Sequence, residues 1–346
     1  MFNLLLSSGI KNVKESRKAR NCDPMKTGNL QDILKIESKL RGYFFGMACG
    51  DALGCPVEHL TLEQIKEKYG EKGILELPPD SPWTDDTQLM LVLARGLLRG
   101  AELELPELMG RIAEELVFWL DEPDLGAGAT SRGAALNLRD GVHWRKSGVR
   151  SKTCGSLMRI GILGFIYRDD PDKLVKAAML SGRITHSHPV SDAASIAGAY
   201  AVKLALDGLE PREMFEPLLK ITEGISQEFT DALESSYKMA YSKKGDEEAL
   251  KTLGQGWYAD ETFALAYFCT LRYPDDYRKA VQTAVNITGD SDSVGSVAGG
   301  ILGAKLGIEA VPVSWTEALK DKEKLEEMVL PLLEKYFQVS GNEVRS

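Results

Sequence analysis

The sequence predicts an all-α fold, a single compact multi-helix domain, and three observations predict it. Apolar residues recur at spacings of three and four from Leu34 onward, the period of an amphipathic helix. No series of alternating segments joined by Asn-Gly or Asp-Gly turns is present, so no sheet is expected. No Ser/Pro/Gly-rich linker interrupts the pattern, and no repeat of about 30 to 45 residues marks a solenoid.

Residues 1–30 read as an extra, poorly ordered N-terminal segment. After Leu4, Leu5 and Leu6 they are polar, basic and aperiodic, and Met25-Lys26 offers an alternative start. The helical domain is assigned to residues 31–346. Residues 88–98 are apolar nearly all round, which predicts a helix buried on most faces. Leu108, Ile112, Leu116 and Trp119 form one apolar stripe. Residues 191–206 carry Ala193, Ala194, Ala197, Gly198 and Ala201, small enough for close helix approach. Helical periodicity returns over 211–222, 229–241, 261–272, 276–287, 293–306 and 321–337. Residues 73–77 alone suit an extended backbone.

The chain has 346 residues, of which 43% are hydrophobic, enough for a sizeable core. Its net charge of −9 is the wrong sign for non-specific binding to nucleic acid or an anionic membrane, so neither partner is expected. No run of about 18 apolar residues could span a bilayer. The basic residues Lys11, Lys14, Arg17, Lys18 and Arg20 follow the apolar triplet, the reverse of a secretory signal. Cys22, Cys49, Cys55, Cys154 and Cys269 are scattered and form no Cys-x-x-Cys pair, so free thiols and a cytoplasmic setting are expected.

Two acidic segments carry the chemistry. Trp83-Thr84-Asp85-Asp86-Thr87 follows Pro78, Pro79 and Pro82 and precedes the buried helix. Gly289-Asp290-Ser291-Asp292-Ser293 precedes a Gly- and Ala-rich apolar helix. Asp, Ser and Thr are the preferred N-caps, which explains one side chain of each segment. It does not explain two carboxylates in each, beside helices that must be buried. Four converging carboxylates would repel one another unless protonated or paired, and neither motif contains Arg or Lys. Divalent cations meet that need. Carboxylate and hydroxyl oxygens are hard ligands, suited to magnesium, manganese or calcium rather than zinc or copper. In a third segment, Gly46, Gly50 and Gly54 allow close helix packing, Asp51 reads as a cap or an exposed charge, and Glu58 is unremarkable on spacing alone.

Together, Gly50-Asp51-Ala52-Leu53-Gly54 with Glu58 and the two acidic segments resemble the three signature blocks of the ADP-ribosylglycohydrolase family. Pro123-Asp124-Leu125-Gly126, Gly155-Ser156-Leu157-Met158-Arg159, Thr185-His186-Ser187-His188-Pro189 and Pro312-Val313-Ser314-Trp315 match in the same order, so the resemblance covers about residues 38 to 316. It implies an all-helical fold with two magnesium ions, or manganese, at the bottom of a cleft. The implied ligands are Thr84, Asp85, Asp86, Asp290, Asp292 and Ser293, the last standing where Thr is commoner. Glu58 and Asp124 are the implied catalytic carboxylates, with the choice between them open.

For the substrate, Gly126 and Gly128 offer backbone N–H groups for a diphosphate, although a glycine-rich turn before a helix is the commoner explanation. Ser151, Cys154 and Gly155 match a loop near phosphate and ribose, with Cys154 where many members have Asn. His186 matches a histidine near the nucleotide. His188, His59, His143 and Met158-Arg159 read as structural or surface groups, Arg159 in an internal ion pair. Trp257 or Tyr258 is a candidate for stacking on adenine. The implied reaction is metal-dependent hydrolysis of the bond joining ADP-ribose to a protein side chain or a small molecule. The alternatives are an inactive ADP-ribose-binding or structural relative, and a hydrolase of another nucleotide-like glycoside.

Overall fold

The computed structural model describes residues 30–343. The N-terminal segment assigned to residues 1–30, with Cys22, thus lies almost wholly outside the described residues. Seventeen α-helices and three short 3-10 turns follow one another. Among the described residues there is no sheet, only three isolated bridges. The helical reading therefore holds.

The long α1 (Leu30–Gly54) runs into a 3-10 turn at Cys55–Val57. A capping box between Thr61 and Gln64 starts α2 (Leu62–Tyr69). The buried stretch read at 88–98 lies within α3 (Asp85–Gly100), and the Leu108 stripe within α4 (Leu105–Trp119). The short elements α5 (Ala129–Arg139), α6 (Trp144–Ser147) and α7 (Ile162–Ile166) carry the middle of the chain. Asp170 caps α8 (Pro171–Arg183) and His188 caps α9 (Pro189–Leu206), each ahead of a proline at the first helical position. The remaining helices are α10 (Pro211–Thr222), α11 (Gln227–Ala240), α12 (Asp246–Leu253), α13 (Ala259–Arg272), α14 (Tyr277–Val285), α15 (Ser291–Leu306), α16 (Val313–Ala318) and α17 (Glu323–Glu343).

Residues 73–77 form no strand. Instead Ile74 exchanges both backbone bonds with the Asn286 side chain, its N–H donating to Oδ1 and its carbonyl accepting from Nδ2 at 2.8 Å each. An amide at the end of α14 does what a neighbouring strand would do.

The core is organised on α1 and α15, which lie antiparallel with backbones nearly touching. Gly42, Gly46 and Gly50 of α1 face Gly303, Gly299 and Gly295 of α15 in turn, and Gly54 faces the backbone of Asp292. The four-residue spacing puts these glycines on one helical face. α9, α13 and α14 pack around α15, while α17 lies against α1 and α3. This close approach places the end of α1 beside the start of α15. A methyl at Gly50 would drive into the Gly295 carbonyl. Gly50→Ala is expected to cost about 3 kcal/mol through overpacking against backbone that cannot yield, measured by denaturant unfolding.

No helix among the described residues is long and apolar enough to cross a membrane. Cys49, Cys55, Cys154 and Cys269 are free.

Candidate functional site

Three chain segments meet where α1 ends and where α3 and α15 begin. Asp51, one residue beyond Gly50, is fully buried. Its carboxylate accepts the Thr84 N–H at 2.9 Å, the Thr87 N–H at 3.0 Å and the Thr87 hydroxyl at 2.5 Å. It therefore holds the first turn of α3 by orphan donors that every helix start leaves open. The sequence read Asp51 as a cap or surface charge. Its place beside a glycine of the α1–α15 contact was the available signal that it points inward.

The capping expectation accounts for one side chain in each acidic segment. Thr84 accepts from the Asp86 N–H, and Asp290 from the Ser293 N–H. Gly289 makes the second turn possible: its φ of 125° lies in the left-handed region that favours glycine. The remaining carboxylates turn into a shared space. Asp86 accepts from Ser293 Oγ at 3.3 Å and from Ser296 Oγ at 2.8 Å, joining segments about 207 residues apart. Glu58, Asp290 and Asp292 each bring an oxygen within 4.8 Å of the others.

Burial, then mutual repulsion, sets the electrostatics. Desolvation and the Asp292 charge push Asp51 up to about 7 and Glu58 up to about 7. The same two causes push Asp85 up to about 8 and carry Asp86 and Asp290 well above the carboxylate range. Asp292 is itself raised by burial. Among the described residues no Lys or Arg forms an ion pair with any of these six groups; Glu58 meets only His59, at 3.1 Å. A dense, buried set of oxygen donors without a cationic partner fits a divalent ion.

The residues expected to meet substrate form a hydrogen-bonded wall beside this cluster. Ser151 Oγ lies 3.1 Å from both Thr130 Oγ1 and Thr153 Oγ1, and Thr153 Oγ1 lies 3.0 Å from His186 Nε2. Burial and nearby Arg159 hold His186 down to about 3, so its ring is neutral. Gly155 lets that ring approach, since a Cβ there would sit 2.9 Å from His186 Cε1. The Cys154 thiol donates to Asp290 Oδ2 at 3.1 Å, and burial keeps it a thiol. Arg159 departs from the expected internal ion pair. Its guanidinium donates to the Gly155 and Ser181 carbonyls and to Thr185 Oγ1, tying this wall to α8.

Asp124 stands apart from the cluster. It is over half exposed, accepts the Gly126 and Ala127 N–H groups, and pairs with Arg132 at 3.2 Å. The Gly128 N–H bonds to Asp85. The Gly126 and Gly128 amides, read as an anion cradle, are thus already engaged by carboxylates. At the rim, Trp257 stacks on His59 with ring centroids 4.8 Å apart, and Tyr258 lies exposed under Lys152 Nζ.

A family model described as ADP-ribosylglycohydrolase matches residues 32–342. An uncharacterized protein of Archaeoglobus fulgidus is 34% identical over 310 residues, covering 88% of this chain and 99% of that one. The ADP-ribosyl-[dinitrogen reductase] glycohydrolase of Rhodospirillum rubrum is 27% identical, covering 83% of this chain and 92% of its own length. A solved structure titled ADP-ribosylglycohydrolase-related protein complex superposes with a TM-score of 0.70 at 27% identity, covering 88% and 99% of the two chains.

Proposed function

Because the chain belongs to the ADP-ribosylglycohydrolase family, and is a hydrolase of ADP-ribose glycosidic bonds, we propose that it works with divalent metal, two magnesium ions or manganese, on an ADP-ribosylated protein side chain or an ADP-ribose-bearing small molecule in the cytoplasm. The observation that carries the metal reading is the convergence of Glu58, Asp290 and Asp292 within 4.8 Å, with Asp86 bonded to Ser293 beside them. Thr84, Asp85, Asp86, Asp290, Asp292 and Ser293 would hold the ions. Bound there, they supply charge neutralisation and Lewis acidity toward ribose oxygens.

The chain's own groups do the rest. Hydrolysis breaks the bond from the anomeric carbon to the acceptor and forms one to a water oxygen, through a cationic, oxocarbenium-like transition state. Glu58, half-buried at the cluster edge, is placed to take the water proton. Asp124, committed to two amides and Arg132, is proposed to shape the loop at residues 123–128. Neutral His186, with one ring nitrogen bonded to Thr153 and the other to Thr185, orients the Thr153 hydroxyl toward ribose and phosphate, and Cys154 replaces one amide contact with a thiol.

Glu58→Gln is therefore expected to lower kcat by about a hundredfold or more, whereas Asp124→Asn lowers it by less than about tenfold. Single-turnover rates of the two variants check this. The function itself is tested with the full chain, EDTA or magnesium or manganese, and a panel of ADP-ribosylated arginine, ADP-ribosylated serine and O-acetyl-ADP-ribose. Metal-dependent release from at least one is expected. Release from none, beside an active relative, overturns the reading.

A further inference from the structure

A cavity of about 230 Å³ opens at the other end of α1 from the acidic cluster. Lys39 in its wall is twelve residues before Asp51, about 18 Å along the helix at 1.5 Å per residue. Its lining combines three cations, Lys35, Lys39 and Arg168, with apolar groups, Leu206 and the paired rings of Phe165 and Tyr336, whose centroids lie 4.9 Å apart. Asp32 sits among the lining residues.

Lys39 is unusual among these groups. It is only 8% exposed and has no carboxylate partner among the described residues. Its Nζ donates to the Ala205 and Leu206 carbonyls at 3.1 Å each, which satisfies the end of α9 and leaves one of three N–H donors. Capping explains a lysine here, but not two more cations around the same space. Lys35 lies one turn away on the same helix face, where like charges repel. Arg168 spends its Nε on Asp207 Oδ1, and Asp207 must also serve Lys203 at 2.5 Å. Burial first, then Lys35 and Arg168, draw the Lys39 ammonium down to about 8, while Asp207 pulls it the other way.

We propose that this cavity is a second ligand site, distinct from the acidic cluster, for a small phosphate monoester or carboxylate carrying an apolar body. The anionic group lies against Lys39, Lys35 and Arg168, and the body against Phe165, Tyr336 and Leu206. The volume admits a molecule the size of phenyl phosphate. A cluster of carboxylates repels anions; this end of the molecule attracts them.

The test is calorimetric titration of the full chain in EDTA with inorganic phosphate, phenyl phosphate and benzoate. One equivalent of phenyl phosphate or benzoate is expected to bind with a dissociation constant of about 1 mM or tighter, and inorganic phosphate more weakly because it leaves the apolar wall unused. Comparison of phenyl phosphate with benzoate decides which anionic group the site prefers. Lys35→Gln and Arg168→Gln, both on partly exposed side chains and so safe for folding, should each weaken binding about tenfold; Lys39→Met should abolish it. Absence of binding by all three probes, or affinities unchanged in both glutamine variants, overturns the proposal.

Discussion

Asp292→Asn is expected to abolish turnover, by about a thousandfold or more, while leaving the metal-free protein as stable as the parent or more so at pH 8. The two effects have one cause. Asp292 is the charge that, after burial, raises Asp51, Glu58, Asp85, Asp86 and Asp290. Asparagine keeps the shape and can still accept the Ser293 N–H, which the Asp292 carboxylate takes at 3.0 Å. It removes the repulsion that every neighbour feels, so the empty cluster relaxes. It also removes a central oxygen donor, so divalent ions should no longer raise the melting temperature. Turnover assays and thermal melts with and without manganese read both halves. Turnover within about tenfold of the parent, with a normal manganese shift, would sink the assignment of Asp292 to the site.

The helices were legible because their signal is local. Residues 211–222 and 293–306 were read almost to the residue, and α10 and α15 occupy them. Short elements such as α6 and α7 escaped separate reading because one turn carries no period. The acidic segments were legible as chemistry before their geometry was known, because two carboxylates exceed what one helix cap uses. Asp51 was not, since its value depends on α3 arriving with Thr84 and Thr87, which no local pattern states. The engagement of Gly126 and Gly128 was equally hidden. A glycine's N–H shows nothing of which acceptor will reach it, and Asp124 and Asp85 reach these two.

The glycine contact of α1 with α15 links fold to site. It brings Asp51 and Glu58, which follow Gly50 and Gly54, against the first turn of α15, where Asp290 and Asp292 lie. Distance between the acidic residues is thereby set by backbone packing rather than by attraction among side chains, which is negative here. A fold that forces like charges together must be stable enough to do so without them, and the extensive core around α15 supplies that stability.

The cost of that arrangement sets the pH dependence. Asp51 and Asp85 rise from 3.8 to about 7 and about 8, and Glu58 from 4.5 to about 7, so between about pH 4 and pH 8 the folded state binds more protons than the unfolded chain. Stability then falls as pH rises, because the slope follows protons bound unfolded minus protons bound folded. The contribution is fully present below about pH 4, where these groups are protonated in both states, and is lost as pH passes through 7 to 8. Metal-free protein is accordingly expected to melt several degrees lower at pH 8 than at pH 6. Ions that need the ionised carboxylates reverse the trend, releasing protons as they bind, so the manganese-induced rise should be larger at pH 8 than at pH 6. Differential scanning fluorimetry across this range, with EDTA and with manganese, measures both slopes. His186 and Lys39, both held low, contribute the opposite slope but are two groups against six, so a metal-free melting temperature that climbs from pH 6 to pH 8 would count against six carboxylates sharing one buried space.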